Sequence, residues 1–382
     1  MFLTRRSMLA MSAVAALPWP ARAEAEPILA GVSGPLTGPN AQYGAQWKRG
    51  FDLALEGING KGGIDGRPIA YQFEDSQSDP RQSVTIAQKF VNDPRIVIEL
   101  GDFSSPASMA ASPIYQRGKL VQFGFTNSHP DFTKGGDYMW SNANNQAEEQ
   151  PKLAEYSVKE LGMKHPAVLH LNTDWGRTSK DIFVKAAAGL GVEVAAVEGF
   201  LANEQDFRPT LVRVRDSGAD GLVLIAYYAD SAQIVRQARD FGLKQTISAA
   251  SSNYSPKFLE LGGAAVNGVF LMSSFFPDEP RPEVQQFVSQ YRAKYSADPD
   301  QFNAIAYDTM VLFAALCKQF GPTREAMHDG LAKIKDVPSV IYGKASFDVA
   351  TRRVPNPVYK YLLVKDGAFT LWDGTPPARA SL

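Results

Sequence analysis

The order of elements is decided by the stretch ILAGVSGPLTGPNAQYGAQWKRGFDLALEGINGKGGIDGRPIAYQF, residues 28–73. It opens with a short apolar strand, and the GPLTGPN segment that follows must turn, because proline removes backbone donors and glycine favours turns. Apolar side chains then recur every three or four residues from Tyr43 to Ile58, as in an amphipathic helix that ends at Gly60. With a second strand at Ile69–Phe73, the stretch predicts a βαβ unit.

The alternation of strand and helix patterns continues along the chain. The apolar run Gly221–Ala226 is typical of a parallel strand buried on both faces. The roughly 360 residues after the leader exceed what one hydrophobic core usually organises, so we expect two α/β lobes. The other predicted elements are strands at 96–100, 119–125, 167–171 and 192–200, helices at 84–91, 153–161, 182–190, 284–295, 306–320 and 324–335, and a β-hairpin at 359–371.

The first residues have the pattern of an export signal. Arg5 and Arg6 precede an apolar run, and residues 21–23 (Ala-Arg-Ala) form a cleavage site, which predicts a twin-arginine signal peptide over residues 1–23 and a periplasmic protein. An ordinary Sec signal is the alternative. Cleavage removes three of the 39 basic residues and leaves 36 against 40 acidic ones. Neither this charge nor any later apolar stretch favours a nucleic-acid partner or a membrane span.

Signals for catalysis or metal binding are weak. Cys317 is the only cysteine, so the chain cannot form an internal disulfide, and its place in a helical pattern predicts a core residue. The four histidines lack metal-ligand spacing. Acidic pairs such as Glu74-Asp75 and Glu148-Glu149 are typical of solvated faces. We therefore predict no enzyme, no metal and no cofactor.

Several sequence motifs give information in addition to the order of strands and helices. They are GPLTGPNAQYG at 34–44, INGKGGIDGRPI at 58–69, EDSQSDP at 74–80, YYAD at 227–230 and AYD at 306–308. Together these motifs are spread over most of the chain after the leader, and they resemble the leucine/isoleucine/valine-binding (branched-chain amino acid) family of periplasmic solute-binding proteins of ABC transporters.

The resemblance implies an architecture. In that family, the type I periplasmic binding fold has two doubly wound parallel-sheet lobes joined by a three-crossover hinge. The implied crossovers lie near residues 142–146, 275–278 and 340–342. Lobe one would comprise residues 24–145 and 276–340, and lobe two residues 146–275 and 341–382.

The resemblance also implies a function. A protein of this kind captures a small carboxylate, such as a branched-chain or other hydrophobic amino acid, by hinge closure, and hands it to an ABC permease with its ATPase subunits. Two alternatives stay open. The ligand is an amine-free aromatic or aliphatic carboxylate, or the protein is a ligand sensor of the same fold; a hydrolytic enzyme is a distant third.

A carboxylate site is predicted where strands end. In open parallel sheets, ligands bind beyond the carboxyl ends of the strands. Ser104 and Ser105 follow one such strand, and with Ser105 as N-cap and Pro106 as first helical residue they open a helix whose free N–H groups suit an anion. By the resemblance, Ser105, Gly124 and Thr126 bind the ligand carboxylate; ordinary caps and turns are the alternative.

Aromatic residues occupy comparable positions. Tyr43, Trp175 and Tyr227 follow strands, and Tyr307 precedes Asp308. Taken alone, most of these rings would be core residues. The resemblance implies that they form the walls of the pocket.

One position departs from the family pattern. Amino-acid binders of the family carry an acid at a strand end of lobe two to pair with the ligand ammonium, and here that position falls on Ser251. A buried ammonium without an anion is costly. Either another acid, such as Asp174, Asp230 or Asp278, replaces it, or the ligand has no ammonium group.

Overall fold

The computed structural model of the protein describes residues 25–355 and 357–375, so the predicted signal peptide lies outside the described residues. The first of its two large sheets has five parallel strands. Numbered along the chain, they lie side by side in the order 2-1-3-4-5. These strands are β1 Ile28–Gly34, β2 Ile69–Asp75, β3 Ile96–Gly101, β4 Gln122–Gly124 and β5 Met139–Ser141. The helices between them are α1 Ala41–Asn59, α2 Pro80–Asn92 and α3 Ser105–Gly118.

The second sheet contains five parallel strands and an antiparallel hairpin at its edge. The parallel strands are β6 Pro166–Leu171, β7 Ala196–Phe200, β8 Gly221–Ile225, β9 Thr246–Ala249 and β10 Val269–Ser273. A separate two-stranded ribbon is formed by β11 Val337–Ser339 and β12 Gly343–Ala345, and the edge hairpin by β13 Lys360–Lys365 and β14 Ala368–Leu371. The helices of this half are α4 Gln146–Glu155, α5 Asp174–Gly189, α6 Arg208–Asp216, α7 Tyr228–Asp240 and α8 Pro256–Gly262.

After β10 the chain returns to the first sheet. Three helices follow there, α9 Pro282–Tyr295, α10 Gln301–Phe320 and α11 Arg324–Leu331. Helix α10 packs along α1 so closely that a Cβ on Gly50 would lie 2.3 Å from the carbonyl oxygen of Asn303. The Arg324 guanidinium donates to the carbonyl oxygens of Ile96 at 2.9 Å and Asp93 at 2.7 Å, which ties α11 to β3 and to the end of α2. The predicted α/β fold with two parallel-sheet lobes is confirmed.

Residues beyond the expected third crossover still contact the first sheet. Beyond the expected crossover at 340–342, Phe347 packs edge-on against Trp140 of β5, with ring centroids 5.5 Å apart. The Ser141 N–H donates to the Arg352 carbonyl oxygen at 3.0 Å, and the Val354 N–H donates to the Ser141 carbonyl oxygen at 3.1 Å. The chain thus still pairs with the first sheet at Val354. We propose a third crossover between Val354 and Lys360; the other domain boundaries stay predictions.

Several elements differ in extent from their sequence patterns. Strand β7 begins at Ala196 and not at 192, and α10 begins five residues before the predicted 306. Helix α11 ends at Leu331, and α4 begins at Gln146 and continues into a π-helical turn at Tyr156–Glu160. The predicted hairpin turn is confirmed, since Asp366 (φ 51°) and Gly367 (φ 74°) both have the positive φ of a tight hairpin.

The interior of the molecule is mainly apolar, as the patterns require. Cys317 is buried in α10, and burial raises the pKa of its thiol to about 12, which agrees with the predicted core role. Within the described ranges, no helix combines the length and the apolar character needed to cross a membrane.

Candidate functional site

A cavity of about 70 Å³ lies where the carboxyl ends of the two parallel sheets face each other. The first lobe supplies Thr126 and Ser128 after β4, and Phe103 after β3. The second lobe supplies Trp175 at the start of α5 and Tyr227 after β8. This is the crevice in which open α/β sheets bind ligands.

Hydrogen bonds close this cleft from one lobe to the other. The Tyr43 hydroxyl donates to the Ser252 carbonyl oxygen at 2.8 Å, and the Tyr228 hydroxyl donates to the Pro39 carbonyl oxygen at 2.6 Å. The Trp175 Nε1–H donates to Ser128 Oγ at 3.0 Å. Closely packed rings add to these bonds, since the Phe103 and Tyr227 centroids are 4.9 Å apart. The structure is therefore the closed form of a two-lobed cleft.

The N-terminus of α3 differs from the prediction by one residue. Ser104 is the N-cap and Ser105 the first helical residue, so the assignment of Ser105 as cap is wrong. The Ser104 hydroxyl lies close to the Tyr227 phenol, and burial raises the pKa of that phenol well above its ordinary value. Ser105 is buried in the first turn and does not line the cavity.

Of the other residues predicted to bind a carboxylate, only Thr126 lines the cavity. Its hydroxyl oxygen is buried and has no hydrogen-bond partner among the described residues. Gly124 lies at the end of β4, where a Cβ would come within 2.6 Å of the Phe132 ring. Close packing against this ring is the reason for a glycine at this position, whether or not its backbone contacts a ligand.

Two of the four predicted aromatic residues, Trp175 and Tyr227, lie in the wall, with their ring centroids 5.0 Å apart. Tyr43 lies behind the wall, stacked on Phe103 with the centroids 3.7 Å apart, and supports it. The structure does not bring Tyr307 into the cavity. Its ring packs on Phe287 and lines a separate surface groove.

Ser251 lines the cavity, and an acid lies beside it that the sequence analysis missed. Glu149, in the first turn of α4, is 4 % exposed and also lines the cavity, so the placement of Glu148-Glu149 on a solvated face is wrong for Glu149. The Ser251 N–H donates to Glu149 Oε1 at 3.2 Å. Burial raises the pKa of the Glu149 carboxyl, and the bonds from Ser251 oppose that rise.

The three acids considered as substitutes do not line the cavity. Asp174 and Asp278 are exposed. Asp230 accepts a hydrogen bond from the Asn203 N–H at 3.2 Å, and burial raises its pKa to about 6. Glu149 is the acid that the fold places next to Ser251.

The start of α10 also lines the cavity, and the sequence analysis missed it. Gln301, Phe302 and Ile305 line the cavity, and Gln301 Nε2–H donates to the Ser251 carbonyl oxygen at 2.5 Å. Asp300 caps the helix by accepting from the N–H groups of Phe302 and Asn303, and the Asn303 side chain closes a capping box. The sequence pattern Asp300-x-x-Asn303 is the signal that could have located this helix start.

Metal chemistry finds no support in the described part of the chain. There, no group of three or more histidine, cysteine or acidic side chains could hold a metal ion. His129, the histidine nearest the cleft contacts, shares its Nε2 with the Thr178 hydroxyl at 3.1 Å, and burial lowers its pKa. The site is built for contact with a small molecule through hydroxyls, one carboxyl and aromatic rings.

Comparisons with known proteins find similarity over most of the chain. Residues 27–368 match the family model described as periplasmic binding protein. The Leu/Ile/Val-binding protein homolog 1 of Brucella suis is 27 % identical over 345 residues, which cover 90 % of this chain and 91 % of that protein.

Two solved structures are also similar. The crystal structure of a branched-chain amino acid ABC transporter protein from Rhodospirillum rubrum is 35 % identical in sequence and has a TM-score of 0.67. The match covers 91 % of this chain and 100 % of that one. The branched-chain amino acid transporter substrate binding protein of Streptococcus pneumoniae, in complex with isoleucine, is 26 % identical with a TM-score of 0.83; the match covers 90 % of this chain and 97 % of that one.

Proposed function

The chain belongs to the periplasmic binding protein family, and we propose that it captures a branched-chain or similar hydrophobic amino acid between its lobes for an ABC importer. The family and fold implied by the sequence motifs are thereby confirmed. The permease and ATPase subunits as partners, and export through the twin-arginine route, are parts of this proposal. The isoleucine complex of the relative from Streptococcus pneumoniae supports the ligand class.

The observation that carries the proposal is the cavity with walls from both lobes. Phe103 from one lobe and Trp175 and Tyr227 from the other can cover an apolar side chain on several sides. Removing apolar surface from water contributes about 25 cal/mol per Å². A ligand that touches both lobes binds the closed form better than an open one, so it shifts the population toward closure.

A carboxylate-binding role follows from the first lobe. Thr126 lines the cavity with a buried hydroxyl that is unpaired among the described residues, and the Ser128 hydroxyl lies at the same end of β4. A hydrogen bond to a charged group contributes about 1.5–3 kcal/mol. We propose Thr126 as the main carboxylate contact, Ser104 as a support of Tyr227, and backbone or indirect roles for Ser105 and Gly124.

The proposal can be tested by thermal unfolding and calorimetry of the chain from residue 24. The ligands are leucine, isoleucine, valine, phenylalanine, 4-methylpentanoate and benzoate. A ligand at about a hundred times its Kd stabilises the folded state by roughly 2.7 kcal/mol, which is a readable shift. We expect stabilisation by the branched-chain amino acids. Stabilisation only by the amine-free acids would contradict the amino-acid proposal, and no shift with any of the six would contradict the ligand class.

A further inference from the structure

A buried carboxyl with no ion-pair partner among the described residues lies in the cavity wall. Glu149 lies in the first turn of α4, and the fold turns its side chain inward, whereas the neighbouring Glu148 is exposed. Its described hydrogen-bond partner is Ser251, whose N–H donates to Oε1 at 3.2 Å. No ion pair of the described residues includes Glu149, so no cation of that part of the chain compensates this carboxyl.

A carboxylate in such a place is unfavourable without a partner. Ionised groups away from water are stable only when they are paired and hydrogen-bonded. The titratable group that faces Glu149 from the segment before β13 is the phenol of Tyr359, which carries no positive charge. Since the open face of Glu149 borders the cavity, the partner that would compensate its charge is a ligand cation.

The surroundings restrict which cation fits. Ser251 and Glu149 lie together on one side, Thr126 belongs to the other lobe, and aromatic rings line the same cavity. An α-amino acid carries an ammonium and a carboxylate on one carbon and an apolar side chain beside them. Resting on the proposed function above, we propose that the Glu149 carboxylate is the ammonium-binding group of this pocket and sets its preference for amino acids over amine-free acids.

Substitution of Glu149 by glutamine tests this directly, because it keeps the size of the side chain and removes its charge. We expect Glu149→Gln to weaken leucine binding at least about a hundredfold, as breaking a buried ion pair does. Binding of 4-methylpentanoate, which is leucine without its amino group, should be unchanged or stronger. Glu148→Gln is the matched control on the exposed neighbour and should leave both affinities as in the wild type.

The variants also separate binding from folding. Unliganded Glu149→Gln should unfold at the same temperature as the wild type or higher, because the variant no longer buries a charge. If it does not fold, Glu149→Asp serves instead, and the shortened carboxylate should lower the preference for leucine over 4-methylpentanoate at least about tenfold. A change in that ratio distinguishes a ligand contact from a merely structural role.

The two proposals fail in different ways. If the wild type binds leucine and Glu149→Gln binds it equally well, the assignment of Glu149 is overturned and the amino-acid function stands. If the wild type binds 4-methylpentanoate and no amino acid, the proposed function itself is overturned, and with it the ammonium site.

Discussion

Replacing Thr126 by valine should make the unliganded protein more stable and its ligand binding weaker. Valine has nearly the shape of threonine but has no hydroxyl. In the closed cleft, the Thr126 hydroxyl oxygen is buried without a partner among the described residues, and such a group costs about 1–3 kcal/mol. Its removal should therefore stabilise the closed form of the unliganded protein by about 1 kcal/mol or more, whereas an open form, in which water reaches the hydroxyl, gains nothing.

The effect on leucine binding has the opposite sign. If the hydroxyl bonds the ligand carboxylate, its loss costs about 1.5–3 kcal/mol, which is about 10- to 150-fold in Kd. Urea unfolding gives the first quantity and isothermal titration calorimetry the second. Thr126→Ser is the control, because it keeps the hydroxyl and should stay within about threefold of the wild-type Kd. A valine variant that is less stable and binds leucine as tightly as the wild type would refute the reasoning.

Three further expectations concern the cleft and its supports. Trp175→Phe and Ser128→Ala each remove the same interlobe hydrogen bond, and each should weaken leucine binding by about 1 kcal/mol. Calorimetry of the double variant should show no additional loss of affinity, and additive losses would contradict the pairing of these two side chains. Gly124→Ala places a Cβ against Phe132 and should lower the free energy of unfolding, measured in urea, by about 1–3 kcal/mol. The folded fraction of this variant should keep its leucine affinity. A variant that is stable but binds leucine weakly would instead favour direct contact of Gly124 with the ligand. Burial raises the pKa of Asp300 to about 7, so between about pH 4 and pH 7 the folded chain holds a proton that the unfolded chain has lost, and stability should fall as pH rises through this range. Asp300→Asn should remove this part of the pH dependence. If urea unfolding gives the wild type and the variant the same change of stability with pH, the prediction is contradicted.

The sequence could predict the sheets because their strands carry a local signal. The apolar run of β8 and the strand-turn-helix pattern after Ile28 are visible without any tertiary information. Thr126, Trp175, Tyr227 and Ser251 could be selected together for a related reason. Each follows a parallel strand, and the carboxyl ends of parallel strands meet at one edge.

The rest of the site depends on how the helices pack, and their packing is not a local property. Glu149 belongs to an acidic pair like those of solvated faces, and only the packing of α4 against the loop after β9 shows which member is buried. Tyr307 was predicted in the pocket because it lies in a family-like motif. At 3.6 residues per turn, however, Gln301 and Ile305 share one side of α10 and Tyr307 lies on another.

The contact on which the proposed third crossover rests is also not a local property. The pairing of residues 352–354 with β5 joins segments about two hundred residues apart in the chain. No periodicity in the segment itself indicates that partner. Long-range strand pairing therefore had to be observed in the folded molecule.

A crystal structure of the chain from residue 24 grown with leucine would test the central claim most directly. The account predicts one leucine in the closed cavity, with its ammonium nitrogen about 3 Å from a Glu149 carboxylate oxygen and its carboxylate at the Thr126 hydroxyl. The leucine side chain should lie among Phe103, Trp175 and Tyr227. A leucine bound with its amino group away from Glu149, or bound outside this cavity, would contradict the account.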